Sequence, residues 1–330
     1  MDNSLKKAIE RMPKLELHIH LEGVFTKELV CELAEKNGVK LPRSKEELFT
    51  FTGLSDFLEL LDFNCSCVYD EDDARKLAYS FCQYAKQQNI VYAEVITNPT
   101  HWHHLGYERM IPAVLEGFAK GAKDGLCDCR LLVSLLRTQS TESASETVDW
   151  LISHPNPRLI GLSVDGDEAA AKSNERFAPL FRKAKENGLH LTAHAGESSG
   201  PEGIREALEL LGAERIDHGV RAIEDDALME ELRERRIPCN VCFTSNVDGG
   251  LFTEENHPLK AFYDRGLCVN LSTDDPMILG NPLCYELCRV ANLYGWQEDT
   301  LRALERNAVE AAFCSDKEKA ALLELLSTSC

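Results

Sequence analysis

Short apolar and β-branched runs recur along the chain, separated by segments with helical spacing. The runs are Leu15–His20, Val91–Thr97, Arg130–Leu136, Leu159–Asp165, Leu189–Ala195, Arg215–His218, Pro238–Thr244 and Cys268–Thr273. One helical segment, Phe177–Lys185, precedes Asn187-Gly188, a common helix C-terminal signal. Strands that alternate with helices predict parallel βαβ units, and eight strands are enough to close a barrel. We therefore predict an α/β fold in which residues 1–330 form a single (β/α)₈ TIM-type barrel.

The stretch between the first and second predicted strands, residues 24–90, breaks this rhythm. It shows helical spacing over Glu28–Lys36, Phe57–Asn64 and Asp72–Gln88. Because an insertion after the first strand of a barrel lies at its C-terminal mouth, we expect a helical lid rather than a second domain. Near the other end of the chain, Glu298–Leu326 is expected to form one or two helices that close the barrel.

Polar and apolar side chains alternate along three of the predicted strands. His18 and His20 share one face of the first strand, and Leu15, Leu17 and Ile19 share the other. The corresponding polar sets on the fifth and eighth strands are His190, Thr192, His194 and Asn270, Ser272, Asp274. Since barrel interiors normally hold bulky apolar residues, a polar interior indicates a metal or a polar ligand.

Candidate functional residues stand at the ends of four predicted strands. They are His18 and His20 on the first, His194 and Glu197 on the fifth, His218 on the sixth, and Asp274-Asp275 on the eighth. The C-terminal ends of parallel barrel strands face one rim, so these side chains should converge there. Three imidazoles and a carboxylate match a catalytic zinc sphere, in which bound water ionises at a pKa of ~7. Neighbouring Asp274 and Asp275 point to different sides of an extended strand, which Pro276 favours, so one should bind metal and the other should not.

Composition narrows the class of partner. The chain carries 55 acidic and 36 basic residues, a formal net charge of −19, which disfavours nucleic acid and anionic membranes. No apolar run is long enough to span a bilayer, and Met1–Lys7 lacks the apolar region of a secretory signal, so we expect a cytoplasmic protein. The thirteen cysteines are therefore expected to be reduced thiols.

Four blocks in order resemble the adenosine deaminase group of amidohydrolases along nearly the whole chain. They are Met12–Gly23, His194-Ala195-Gly196-Glu197, Asp217-His218-Gly219 and Ser272–Pro276. The resemblance implies one zinc ion per chain, held by His18, His20, His194 and Asp274. It also implies that Glu197 protonates purine N1, that His218 handles the attacking hydroxide, that Asp275 bonds to the water and the base, and that the Gly166 backbone N–H meets purine N3.

The resemblance implies removal of the 6-amino group of an adenine compound, and Glu22 bears on which one. Members that act on adenosine generally have His-Leu-Asp-Gly where this chain has His20-Leu21-Glu22-Gly23, and glutamate is more typical of those that act on adenine or other adenine derivatives. If the strand geometry continues, Glu22 faces the pocket, where a carboxylate would accept a hydrogen bond from a sugar hydroxyl. Because Gly166-Asp167-Glu168 resembles the adenosine type, we predict adenosine as the substrate, with adenine, a modified adenosine or an N6-substituted adenine as the alternative.

Several other interpretations stay open. One is another metal-dependent barrel hydrolase, since barrels host many chemistries, and another is an inactive purine-binding protein. His20-Leu21-Glu22 and Pro238–Cys242 contain the zinc-binding pieces of a different deaminase class, but Cys239 and Cys242 would point to opposite faces of a strand, so two packed thiols are favoured. His101, His103 and His104 follow the second strand and favour a loop at the mouth. No Gly-rich phosphate loop is present, so no nucleotide cofactor is expected.

Overall fold

The computed structural model describes residues 3–171 and 173–328, so both ends of the predicted 1–330 unit lie outside the described residues. Within them, eight strands alternate with helices: β1 Lys14–His20, β2 Ile90–Thr97, β3 Asp128–Leu136, β4 Leu159–Asp165, β5 His190–Ala195, β6 Arg215–His218, β7 Cys239–Val241 and β8 Val269–Leu271. The α-helices before β4 are α1 Asn3–Arg11, α2 Lys27–Asn37, α3 Gly53–Ser66, α4 Glu71–Gln87, α5 Tyr107–Lys123 and α6 Thr141–Ser153. Those after β4 are α7 Ala178–Glu186, α8 Pro201–Glu209, α9 Asp226–Glu234, α10 Phe243–Asp248, α11 Leu259–Asp264, α12 Pro276–Leu279, α13 Leu283–Tyr294, α14 Glu298–Ala311 and α15 Asp316–Thr328.

The strands form one parallel sheet in sequence order, from β1 to β8. Its two edges meet through an isolated parallel bridge between Ile19 and Asp274. At this seam His20 N donates to Asp274 O at 2.9 Å, and Asp274 N donates to His18 O at 3.1 Å. The predicted (β/α)₈ barrel is confirmed, and the residue that joins its edges is one of the predicted metal ligands.

The apolar face of β1 packs outward against a helix. Leu15 and Leu17 of β1 lie in a buried cluster with Ala308 and Val309 of α14. Leu15 and Leu17 thus point away from the polar interior, as predicted for β1, and the removal of such side chains from water stabilises the fold by roughly 25 cal/mol per Å² of apolar surface. Among the described residues, no helix combines the length and the apolar character needed to cross a bilayer.

The polar faces of the strands form a buried hydrogen-bonded chain. Thr192 Oγ1 donates to Asp217 Oδ2 at 2.7 Å, and Asn240 Nδ2 donates to Asp217 Oδ1 at 2.7 Å. Asn270 Nδ2 in turn donates to Asn240 Oδ1 at 2.8 Å. These side chains of β5 to β8 thus find partners on neighbouring strands, which offsets the cost of burying them, whereas Ser134 Oγ and Ser163 Oγ are buried without a partner among the described residues.

Strands seven and eight are shorter than predicted. The chain leaves the sheet after Val241, and Asn246 N donates to Cys242 O at 2.9 Å in the first turn of α10. A short apolar run does not distinguish a strand from a buried helical turn, which explains the error over Pro238–Thr244. Asp274 lies beyond β8 with φ +68°, and Asp275 has φ −123° and ψ 66°, so neither continues a regular strand as predicted.

The three helices between β1 and β2 occupy different places. Helix α3 packs against the 3₁₀ turns Leu21–Gly23 and Pro99–His101, which follow β1 and β2. Helix α4 packs against α5 and β2 instead, so it belongs to the helical layer around the barrel. Only part of the predicted lid, residues 24–90, therefore lies over the rim.

Candidate active site

The side chains predicted as metal ligands converge at the C-terminal end of the barrel. His18 Nε2 and His20 Nε2 each lie 3.3 Å from Asp274 Oδ1, and His20 Nε2 lies 3.0 Å from His194 Nε2. Ligand atoms of all four residues lie within 4.8 Å of one another. Three strand ends that are far apart in the sequence thus supply one donor set.

This donor set fits a metal ion. Donors at ~2.0–2.2 Å from a tetrahedral centre are separated from each other by ~3.3–3.6 Å, and the separations of 3.0–3.3 Å in this cluster approach that range. Three imidazole nitrogens and a carboxylate oxygen are ligands that zinc and related divalent ions accept. Without a cation, two Nε2 atoms 3.0 Å apart are served by one shared proton at most.

Contacts behind the cluster orient its members. Asp217 Oδ1 lies 3.1 Å from His18 Nδ1, and the Val164 carbonyl lies 3.2 Å from His194 Nδ1. An acceptor at Nδ1 holds the proton there and leaves Nε2 available as the ligand atom. Ser245 Oγ donates to Asp274 Oδ2 at 2.6 Å, which leaves Oδ1 for the histidines.

Burial and neighbouring charges together set the pKa values of His194 and Asp274. Burial lowers the pKa of His194, and the neighbouring His18 and His20 lower it further, so this imidazole is neutral, as a metal ligand must be. Burial alone would raise the pKa of Asp274, but His18 and the other histidines hold it well below its ordinary range. The carboxylate is therefore ionised, which metal binding also requires.

Two residues of the site have a left-handed backbone conformation, which residues other than glycine rarely adopt. His218 has φ +66° and Asp274 has φ +68°. Such positions cost about 1–3 kcal/mol and persist where the surrounding structure imposes them, often at functional sites. The turn at His218 brings its side chain beside the cluster even though the preceding Asp217 already points inward, which strand alternation would not allow.

Glu197 and His218 face each other beside the four candidate metal ligands. Asn246 Nδ2 donates to His218 Nδ1 at 3.1 Å, so a neutral His218 carries its proton on Nε2, 3.6 Å from Glu197 Oε1. The Glu197 side chain is 28 % exposed, and burial raises the pKa of its carboxyl. A carboxyl that retains its proton closer to neutral pH is suited to act as an acid.

Asp275 presents a free acceptor to the same space. Its Oδ1 is buried and has no hydrogen-bond partner among the described residues. A β-carbon at Gly23 would collide with that Oδ1 and with the Asp275 backbone, so only glycine fits in this position of the first block. An unpaired buried oxygen is costly, which indicates a bonding partner outside the chain.

Glu22 is held differently from the prediction. The chain turns into a 3₁₀ helix after His20, so the strand geometry on which the prediction depended does not continue. Glu22 Oε1 accepts from Thr97 Oγ1, Asn98 N and Trp102 Nε1 at 2.8, 2.9 and 3.0 Å. Its Oε2 is buried without a partner among the described residues, so a single oxygen is left for a ligand.

Gly166 lies at the end of β4 with φ +88°, a conformation that favours glycine. The buried Arg137 guanidinium donates to the Gly166 carbonyl at 2.7 Å and also to the His194 carbonyl. It therefore ties the loop after β4 to a predicted metal ligand on β5.

The remaining sequence candidates have other roles. His101 Nδ1 lies 2.7 Å from Asp62 Oδ1 on α3, and His104 stacks on Tyr69 at 4.0 Å, so this loop contacts the insertion. No metal-binding group among the described residues contains His101, His103 or His104. Cys242 lies with His18, His218 and Asp274 in a second group of close donor atoms, a placement that the sequence did not predict.

Three residues that contact the candidate site have no assigned role in the sequence analysis: Asp217, Arg137 and Glu168. Asp217 was visible within its block, but the adjacent His218 argued against an inward direction. Glu168 stands in the block around Gly166, where the sequence does not show that its carboxylate binds the loop that carries Glu197. Arg137 has no signal in the sequence, since its partners are backbone carbonyls.

Comparison with known proteins gives a consistent picture. A family model described as adenosine deaminase matches residues 13–329. The chain is 35 % identical to an adenine deaminase of Rhodospirillum rubrum, over 94 % of this chain and 95 % of that protein. It is 34 % identical to an adenosine deaminase of Vibrio cholerae, over 94 % and 96 % of the two chains. A crystal structure of an amidohydrolase from Burkholderia ambifaria with bound Zn is similar with a TM-score of 0.92 and 26 % identity, covering 99 % of this chain and 93 % of that chain.

Proposed function

This chain belongs to the adenosine deaminase family, and we propose that it hydrolyses adenosine to inosine and ammonia with one zinc ion. The observation that carries the proposal is the convergence of His18, His20, His194 and Asp274 beside the Glu197 carboxyl. A zinc ion bound there supplies Lewis-acid activation of a water molecule.

The remaining residues of the site have separate tasks in this proposal. Glu197 donates its proton to purine N1, which neutralises the charge that develops on the ring as water adds to C6. His218 donates a hydrogen bond from Nε2 to the attacking hydroxide, and Asp275 Oδ1 bonds to the water and the base. The Gly166 N–H meets purine N3, and the peptide that carries this N–H is held by Arg137 N, which donates to Asp165 O at 2.9 Å.

The alternative hydrolases would need different surroundings. A phosphoesterase site usually has basic groups that bind phosphate, but the buried Arg137 already donates to two carbonyls. The described metal-binding groups share His18 and Asp274, so they overlap rather than form two separate centres. Both observations favour deamination over phosphoester hydrolysis.

Adenine is the second candidate substrate, and the contacts of Glu22 are compatible with it. With Oε1 held by three protein donors, Glu22 offers one oxygen in a position that is 2 % exposed. A single fixed acceptor suits an N–H of a free base as well as a sugar hydroxyl. The nearly equal identities to an adenosine deaminase and an adenine deaminase do not separate the two.

The test is kcat/KM for adenosine, adenine and a 5′-substituted adenosine, measured by ammonia release with the wild type and Glu22→Asp. A site that bonds a hydroxyl discriminates strongly against ligands that lack it, so we expect adenosine to exceed adenine by at least ~100-fold. Shortening the side chain should disturb the bonds to Oε1 and lower kcat/KM for the preferred substrate most. If adenine is faster than adenosine by ~100-fold, the substrate assignment is wrong and adenine replaces it.

A further inference from the structure

One carboxylate outside the proposed catalytic set binds the whole loop that carries Glu197. Glu168 Oε2 accepts from Glu197 N, Ser198 N and Ser199 N at 2.8, 3.1 and 3.3 Å. Glu168 Oε1 accepts from Gly196 N at 3.0 Å and from Ser199 Oγ at 2.8 Å. Four consecutive backbone N–H groups and one hydroxyl thus converge on a single side chain.

Other contacts of the loop are single bonds, such as Arg221 N to Gly196 O at 2.9 Å and Ser198 Oγ to Asp167 Oδ1 at 3.1 Å. Residues 196–200 connect β5 to α8 outside any strand or helix, and Gly196 has φ +62°. Backbone N–H groups need partners when buried, and in this loop a side chain takes the place of a neighbouring strand. Bonds to an ionised carboxylate are roughly twice as strong as neutral ones, so Glu168 constrains the loop more than a backbone partner would.

The surroundings of Glu168 are shaped to accept it. Glu168 is 9 % exposed. Its own backbone N donates to Ser198 Oγ at 3.0 Å, so the loop after β4 and the loop after β5 each donate hydrogen bonds to the other. A β-carbon at Gly203 would collide with Glu168 Oε1 and Ser199 Oγ, so the first turn of α8 leaves room for the carboxylate only because glycine stands there.

We propose that Glu168 is a positioning residue, which holds the 196–199 backbone so that the Glu197 carboxyl points at the substrate ring. This inference rests on the proposed role of Glu197 as the proton donor. Glu168 itself does not touch the substrate, and it acts through the peptide of Glu197. Misplacing a reacting group by about 1 Å costs on the order of 100-fold in rate, so release of this loop should appear in kcat.

The experiment compares Glu168→Ala with the wild type in the metal-loaded enzyme. We expect kcat to fall ~10–100-fold while KM stays within ~3-fold and the metal content stays unchanged. Removal of the carboxylate leaves four N–H groups around a vacant space, which formate can fill. Added formate should therefore raise the kcat of Glu168→Ala at least ~5-fold, whereas chloride at equal ionic strength should not. Amide exchange of residues 196–199 should become faster in the variant and slow again with formate.

Glu202→Ala is the matched control, because Glu202 is exposed and its Oε1 accepts from a single N–H of the next residue in the loop, Gly200, at 3.1 Å. Its kcat should stay within ~2-fold of the wild type. Glu168→Gln is the second variant in case Glu168→Ala does not fold. Glutamine keeps the volume of the side chain, but its NH₂ group replaces one carboxylate oxygen and cannot accept the hydrogen bonds made there. The kcat of this variant should therefore fall as well.

Glu197→Gln in the same assay separates the two proposals. If it turns over normally, the role of Glu197 as proton donor is wrong, and the positioning proposal fails with it. If Glu197→Gln is inactive but a folded Glu168→Ala or Glu168→Gln keeps the wild-type kcat, only the positioning proposal is overturned. A loss of kcat in Glu168→Ala that formate does not restore would also overturn it, since it would assign Glu168 to folding alone.

Discussion

At the scale of single residues, the site depends on a few positions whose neighbours allow one residue type. Gly23 leaves room for Asp275, and the left-handed backbone at His218 and Asp274 turns both side chains toward the same space. Among the described residues, Asn89 and Arg236 also have positive φ, just after α4 and α9, so this conformation is not confined to the site. Strained positions of this kind are expected to persist only where the fold over-determines them.

Glu197→Gln should separate proton donation from metal binding. Glutamine keeps the shape of the side chain but has no acidic proton, so kcat should fall at least ~100-fold while KM stays near normal. Because Glu197 lies outside the donor set, metal content should not change. Steady-state kinetics and metal analysis on the same preparations provide the check.

A variant that keeps near-normal turnover would refute this role for Glu197. Loss of metal in Glu197→Gln would instead show that its carboxyl supports the donor set directly. The raised pKa of Glu197 adds a second expectation, since activity that needs the protonated carboxyl should decline as the pH rises above that pKa.

At the scale of elements, helices that lie outside the barrel complete hydrogen bonds that the sheet leaves open. The register between β1 and β2 shifts at Lys14/Leu15, and there Leu15 N donates to Glu305 Oε2 of α14 at 2.9 Å. Burial raises the pKa of Glu305 to about 7. This helix therefore fixes the start of the strand that carries His18 and His20.

The buried Glu305 should make stability depend on pH. Between its ordinary pKa of 4.5 and the value of about 7 in the fold, the folded chain binds more protons than the unfolded chain, so the free energy of unfolding falls as the pH rises. Glu305→Gln keeps an acceptor for Leu15 N and does not ionise. It should have nearly wild-type stability at pH 5 and gain relative to the wild type at pH 8, by about 3 kcal/mol at most.

Urea unfolding of both proteins at the two pH values measures this difference. The comparison cancels the titration of other buried carboxyls, such as Glu286, whose pKa burial raises to about 7 as well. An unchanged difference between pH 5 and pH 8 would show that Glu305 is ionised throughout.

At the scale of the whole molecule, the four candidate metal ligands come together through the closure of the barrel. His18 and His20 come from β1, His194 comes from β5, and Asp274 forms the bridge that joins the last strand to the first. The donors are thus close together only in the closed barrel. A metal that binds the folded state alone should stabilise that closure.

Removal of the metal with a chelator should therefore lower the Tm of the wild type by about 5–10 °C. His18→Ala should bind little zinc and show little further change with the chelator, because it lacks a ligand on the seam. Cys239→Ser is the matched control, since Cys239 is buried on β7 outside the donor set and should keep one zinc per chain. Metal analysis and thermal unfolding with and without chelator test both variants.

Zinc retained in His18→Ala would contradict the proposed ligand set. Zinc lost in Cys239→Ser would point instead to the thiols as ligands, as in the other deaminase class. An unchanged Tm in the wild type, together with complete removal of zinc, would show that the barrel closes without the metal.

The sequence by itself determined the barrel and the ligand candidates. Apolar runs that alternate with helical segments are local patterns, and residues two apart on a strand share a face whatever the rest of the chain does. His18, His20 and His194 were therefore predictable, as was their common rim. The spacing of the four blocks added the family.

Only the tertiary structure decided how the site is supported. The contact of Asp217 with His18, the five bonds to Glu168 and the anchoring of Glu22 by Trp102 join residues from different strand ends. The end of β8 before Asp274 and the division of labour between α3 and α4 were likewise invisible in the pattern. The physical reason is that periodicity reports which face a side chain takes, whereas hydrogen bonds between loops depend on distances that exist only after the barrel has closed.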